Sequence, residues 1–322
     1  MLSLAPLRRA LGAVPGVRAL LDVLTEGAAG DGAQVTVSAP AGGRPIILGT
    51  LEEASARVVL AVTATGREAQ DLTAALRDLL GPDGVAELPA WETLPHERLS
   101  PRSDTVGTRL GTLRRLAHPE PEDPAHGPIR VLVAPVRAVL QPFAKGLGDL
   151  APVALAAGDE VALEDVLERL VAAAYTRTDL VERRGDVAVR GGILDVFPPT
   201  QEHPVRIEFW GDTVEEIRWF KVADQRSLEV CEEGLWAPPC RELLLTEDVR
   251  ARAAALADRL PGIRDLLEKI AEGIAVEGME SLSPALLDGM ETILEVLPRG
   301  SVVVACDPAR GRACLLYTSD AA

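Results

Sequence analysis

Apolar residues recur at three- and four-residue steps through Leu4, Leu7, Leu11, Val14, Val17, Leu20, Leu21 and Leu24, the period of an amphipathic helix pair broken at Pro15-Gly16. Gln34–Ser38 then reads as a strand, Ala39–Pro45 as a glycine- and proline-rich turn, and Ile46–Ala54 as a helix start. The β-branched run Arg57–Val62 is of the kind buried in a parallel sheet. A helix over Arg67–Leu80 follows, stopped by Gly81-Pro-Asp-Gly84. Next come a short strand at Val85–Leu88, a helix over Val106–Leu116 and a buried strand at Ile129–Ala134. Strands alternating with helices predict a doubly wound α/β core.

Near Asp149 the pattern changes. Asp159–Val171 reads as a helix with an N-cap at its start, and Val187–Phe197, Pro204–Trp210 and Thr213–Val222 read as strands. The last two are joined by Gly211-Asp212, a two-residue hairpin signal. This predicts an inserted α+β domain over 149–238, preceded by a first α/β part over 1–148. Helical periods return at Val249–Leu260, Ile263–Ile274 and Pro284–Leu297, and the strand Ser301–Ala305 can complete the first sheet. Residues 239–310 are therefore expected to rejoin the first domain. No closing helix is expected after that strand, and 311–322 reads as a foreign or frameshifted tail.

The chain has 322 residues, enough for about two domains, with 33 Lys+Arg against 49 Asp+Glu and a net charge of −16. A chain this acidic is repelled by a phosphate backbone unless its positive charge is gathered on one face. The cysteines at 231, 240, 306 and 314 and the histidines at 96, 118, 126 and 203 show no zinc-type spacing, so no metal is expected. No apolar run is long enough for a membrane span and no secretory leader pattern is present, which predicts a cytoplasmic protein with reduced thiols.

A nucleoside triphosphatase needs a glycine-rich loop, a lysine and a Ser/Thr hydroxyl after its first strand. Here Ser38 and Gly43 fall at the glycine positions, Arg44 at the lysine and Pro45 at the hydroxyl. Pro45 has neither a hydroxyl for Mg²⁺ nor an N–H for a phosphate, so this loop is degenerate and no catalytic residue is assigned. His96 and Glu97 lack any supporting nucleophile or ligand spacing. In 204–210, Val205, Ile207 and Phe209 share one strand face while Arg206, Glu208 and Trp210 share the other. Trp210 beside Arg206 is either the anchor of a protein interface or core beneath the helix 159–171, and the burial habit of Trp favours the second.

Leu88-Pro-Ala-Trp-Glu-Thr-Leu-Pro95, Arg109-Leu-Gly-Thr-Leu113, Arg190-Gly-Gly-Ile-Leu-Asp-Val-Phe-Pro198, Arg206-Ile-Glu-Phe-Trp210 and Phe220-Lys-Val-Ala-Asp-Gln-Arg-Ser-Leu228 occur in order. Together they resemble the amino-terminal, UvrB-like region of the bacterial transcription-repair coupling factors, over roughly 5–310. The resemblance implies a degenerate helicase-like (P-loop-type) doubly wound domain interrupted by an inserted α+β domain, as in UvrB. It implies UvrA as partner, bound through two arginines and an aromatic that match Arg190, Arg206 and Trp210. RNA polymerase, double-stranded DNA, and ATP with Mg belong in that family to domains outside this stretch, so no cofactor is expected here. The competing readings are a UvrB-like excinuclease subunit and an autoinhibitory lid.

Overall fold

A computed structural model describes residues 10, 12–26, 34–94, 97–123 and 125–320. Leu4, Leu7, Leu11 and His96 lie outside the described residues, as do the last two residues of the tail. In chain order the strands are β1 (Val59–Thr63), β2 (Val85–Glu87), β3 (Val131–Pro135), β4 (Phe143–Ala144) and β5 (Val153–Leu155). There follow β6 (Thr176–Arg177), β7 (Asp186–Arg190), β8 (Ile193–Val196), β9 (Val205–Trp210) and β10 (Thr213–Phe220). The last are β11 (Ser227–Val230), β12 (Leu235–Ala237), β13 (Met290–Glu291) and β14 (Val302–Ala305). The fold is mixed α/β, in two compact units.

The first unit comprises Met1–Ala90, Thr112–Pro142 and Thr292–Ala322. Its sheet has the order β14-β1-β3-β2, parallel throughout, with Val59 level with both Val302 and Val131. The continuous apolar runs at 59–61 and 131–134 are buried on both faces, as a helix-covered parallel sheet requires. Leu48 and Leu51 of the helix Arg44–Ser55 and Leu72 and Leu76 of the helix Gly66–Leu80 fill the core against Val59, Val85, Val131 and Val133. Thr65 caps the second of these helices by accepting from the Glu68 amide at 3.3 Å, and the Glu68 carboxylate accepts the Ala64 amide in return.

The second unit comprises Trp91–Gly111 and Phe143–Glu291. Its main sheet has the order β11-β10-β9-β8-β7-β6. One face packs Val187, Leu194, Val205, Ile207, Val214 and Ile217 against Leu163, Val166 and Leu170 of the helix Leu163–Ala172. A second core gathers Leu243, Val249, Leu267, Ile270, Met279 and Leu286 around the helices Glu247–Ala257 and Arg264–Ala271. Residues 91–111 are stitched into this unit by buried polar groups. Glu242 accepts from Arg109 Nε at 2.5 Å and from Trp91 Nε1 at 2.9 Å, and Glu280 pairs with Arg241 at 2.7 Å and accepts the Ser100 hydroxyl at 2.7 Å.

Several expectations are corrected. Residues 34–40 form no strand; no strand among the described residues pairs with them, and Val35 and Val37 are exposed. Residues 239–291, expected with the first domain, belong to the second unit because their core is self-contained and tied to Trp91, Ser100 and Arg109; only 292 onward joins the first. Asp159 does not cap the helix, which begins at Leu163 without a side-chain cap. Its carboxylate is taken by the Ala156 amide at 2.8 Å, while Glu160 bridges to Thr213. The helical period over Pro284–Leu297 is split by β13, which pairs with β4. Val187–Phe197 is two strands, turning at Gly191-Gly192 where Gly191 adopts φ +61°. A helix, Pro308–Asp320, does follow β14.

Candidate partner-binding surface

The expected site residues sit on the solvent face of the six-stranded sheet. Arg190 ends β7 and is exposed, with Ile193 opposite it on β8, Glu208 opposite Ile193 on β9, and Glu216 opposite Glu208 on β10. One row along, Ala188, Asp195, Arg206 and Arg218 succeed one another across the same four strands. Trp210 closes β9 beside the Gly211-Asp212 turn, opposite Thr213, with Gly211 at φ +61°. It is 79% exposed, so the burial expectation for this Trp is overturned. The helix Leu163–Ala172 is occupied by the opposite face of β9, through Val205 and Ile207. A large indole left in water is an uncommon arrangement that suits an interface anchor.

Arg206, on the same strand face, is in a different state. Its side chain is 16% exposed and that of Asp195 is 3% exposed. Nε and Nη2 donate to the two oxygens of Asp195, each at 2.8 Å, and Nη1 donates to the Gln225 carbonyl at 3.1 Å and to Ser227 Oγ at 3.4 Å. The guanidinium carbon lies 4.7 Å from the centroid of Phe220, which is fully buried. The bonds it donates to Asp195 hold the Arg206 pKa above its usual value despite partial burial. Arg218 is held in the same manner by Glu216, at 2.6 and 2.9 Å. Arg190 makes no ion pair and no side-chain hydrogen bond among the described residues, which leaves its charge uncommitted on this face.

The face is thus a sheet surface with one large exposed apolar group, one uncommitted cation and neighbouring carboxylates. Strand alternation singled out Arg206 and Trp210, and the family resemblance added Arg190; neither pointed to Asp195, Phe220 or Gln225. The Asp195 signal was its place opposite Arg206 once the two strands are paired.

The degenerate loop lies elsewhere. Ser38 is exposed in the unpaired stretch, and Gly43 ends a turn of 3₁₀ helix, Ala41–Gly43, that runs directly into the helix opened by Arg44 and Pro45. These four residues therefore do not connect a strand to a helix. Trp91 is buried on Glu242, and Glu97 accepts the Leu94 amide at 2.6 Å, closing a turn. Glu120, Asp123 and His126 bring ligand-type atoms together, a grouping the spacing did not reveal. Asp123 is committed there to the His126 ring at 2.5 Å and to the Ala125 and His126 amides, and these bonds lower its pKa. No helix among the described residues is long and apolar enough to cross a membrane.

Residues 153–238 match the UvrB interaction domain. The transcription-repair-coupling factor of Mycobacterium tuberculosis is 54% identical over 294 residues, covering 84% of this chain and 24% of that protein. That of Myxococcus xanthus is 38% identical over 275 residues, covering 78% of this chain and 22% of the relative. The UvrABC system protein B of Gemmatimonas aurantiaca is 39% identical over 92 residues, 27% of this chain and 12% of that protein. The chain spans about a quarter of the length of the coupling factors it matches. It belongs to the transcription-repair coupling factors, as the region of them that carries the UvrB interaction domain.

Proposed function

We propose that this chain is a binding module that recruits UvrA, bringing nucleotide excision repair to sites where transcription has stalled. The observation that carries the reading is Trp210, exposed at the hairpin end of β9 within the matched domain, on the sheet face that also presents Arg190. Such a residue buries a large area at little entropic cost when a partner covers it. The fold reading that goes with it is a degenerate helicase-like domain interrupted by the inserted domain, as in UvrB. In support, β14 returns beside β1 after the whole of the second unit has been traversed. ATP with Mg, RNA polymerase and double-stranded DNA are assigned to parts of the longer protein outside this chain.

The test is a calorimetric titration of the whole chain with UvrA from a related bacterium, beside Trp210→Ala. Loss of at least about 2 kcal/mol of binding, the range of an interface hot spot, is expected with an unchanged melting curve. A wild-type chain that is folded and does not bind UvrA refutes the reading.

A further inference from the structure

The Asp195–Arg206 pair is built for orientation. Asp195 is almost fully buried and gives both carboxylate oxygens to the Nε and Nη2 edge of the guanidinium. Gln225 and Ser227 take the Nη1 edge, and Gln225 is itself pinned with φ +59° and a side-chain amide donating to the Val181 and Val222 carbonyls. Phe220, fully buried, lies under one side of the guanidinium. Two edges and one face are therefore spent inside the protein. What remains of this cation for a partner is its opposite face and one Nη2 N–H. A guanidinium whose N–H fork is occupied does not take a second carboxylate in the two-pronged geometry that Arg favours, but its open face stacks on a planar group.

We propose that Asp195 is a positioning residue of the UvrA-binding face: it acts through Arg206, holding the guanidinium flat so that the partner meets its plane with an aromatic or peptide group rather than its N–H fork with an acid. The inference rests on the hairpin-face reading above and adds the chemistry of the partner at this point. Arg190 and Trp210 supply the charge and the apolar anchor around it. The ion pair itself is internal to the sheet.

The test is calorimetric titration of the full chain with UvrA, well below every variant's melting temperature, using Arg206→Lys, Asp195→Asn, Arg206→Met, the double variant Asp195→Asn/Arg206→Met, and Trp210→Ala. Arg206→Lys keeps a cation beside Asp195 but loses the plane, so about a tenfold weaker affinity with little change in melting temperature is expected. A purely structural ion pair would leave that affinity unmoved. Asp195→Asn is expected to weaken binding by about tenfold, and the double variant to bind no worse than Arg206→Met, because Asp195 acts only through Arg206. Should Arg206→Met not fold, for want of a partner to Asp195, the double variant orphans no charge and is compared with Asp195→Asn directly. Wild-type affinity for Arg206→Lys, or losses that add in the double variant, overturns the proposal while a damaging Trp210→Ala keeps the binding face in place. Full binding by Trp210→Ala removes the face itself.

Discussion

Glu242 is the residue on which the second unit most depends for its polar interior. One oxygen accepts both the Arg109 Nε–H at 2.5 Å and the Trp91 indole N–H at 2.9 Å, and the two ionic side chains are 3% and 0% exposed. Glu242→Ala takes from the buried Arg109 guanidinium the carboxylate at 2.5 Å and removes an acceptor of the buried Trp91 indole. Breaking one side of a buried ion pair costs about 3–5 kcal/mol, and an unsatisfied buried donor about 1–3 kcal/mol. Because both bonds converge on one carboxylate, the two penalties overlap, and about 3–5 kcal/mol is expected in all. For a unit of this size that lowers the melting temperature by roughly 6–20 °C, at about 2–4 °C per kcal/mol. The assay is selective, since Trp91, Trp210, Trp219 and Trp236 all fall in the second unit and tryptophan fluorescence follows its unfolding alone. The pair Arg109→Met/Glu242→Leu removes both charges and is expected to recover most of the loss, as apolar replacements of buried pairs do. A cost below about 1 kcal/mol for Glu242→Ala would refute the reasoning, because it would mean that water reaches Arg109.

Arg206→Ala is expected to cost about 3–5 kcal/mol of stability by stranding the buried Asp195, in contrast to an exposed contact residue, and urea denaturation measures it. Trp210→Ala at 79% exposure is expected to stay within about 0.5 kcal/mol in the same experiment. Burial pushes the Cys240 thiol up from its ordinary value near 9 to about 12. The unfolded chain therefore holds fewer protons than the native one across that window. Stability from this thiol is complete below about pH 9 and falls toward pH 12 by at most about 1.4 kcal/mol per pH unit, a slope that Cys240→Ala removes. Gly234 adopts φ +75° and its added Cβ would meet the Leu155 carbonyl where β5 pairs with β12, so Gly234→Ala is expected to cost more than about 1 kcal/mol by thermal unfolding.

What could be read in the sequence is what periodicity and local chemistry determine. The stretches 59–62 and 131–134 are apolar on both faces because helices cover both, and they form most of β1 and β3. Gly211-Asp212 makes the hairpin because its first residue supplies the left-handed turn. The stretch 34–38 has the right residues for a strand but no neighbour to pair with among the described residues, and pairing is what makes a strand. Alternation placed Arg206 and Trp210 on one face, yet gave no means of telling that one is clamped and the other bare. The difference lies in Asp195, 11 residues back in sequence, and in the 221–227 segment that folds against Phe220. The same holds for the boundary of the second unit: besides Arg241, 39 residues before Glu280, the partners of Glu242 and Glu280 lie 133 to 180 residues earlier, at Trp91, Ser100 and Arg109. Buried charges are tolerable only when paired, so each of these carboxylates marks a long-range contact that no local period can show. A buried acid in this chain is thus a pointer to distant structure, and an arginine opposite one is better read as its partner than as a free contact.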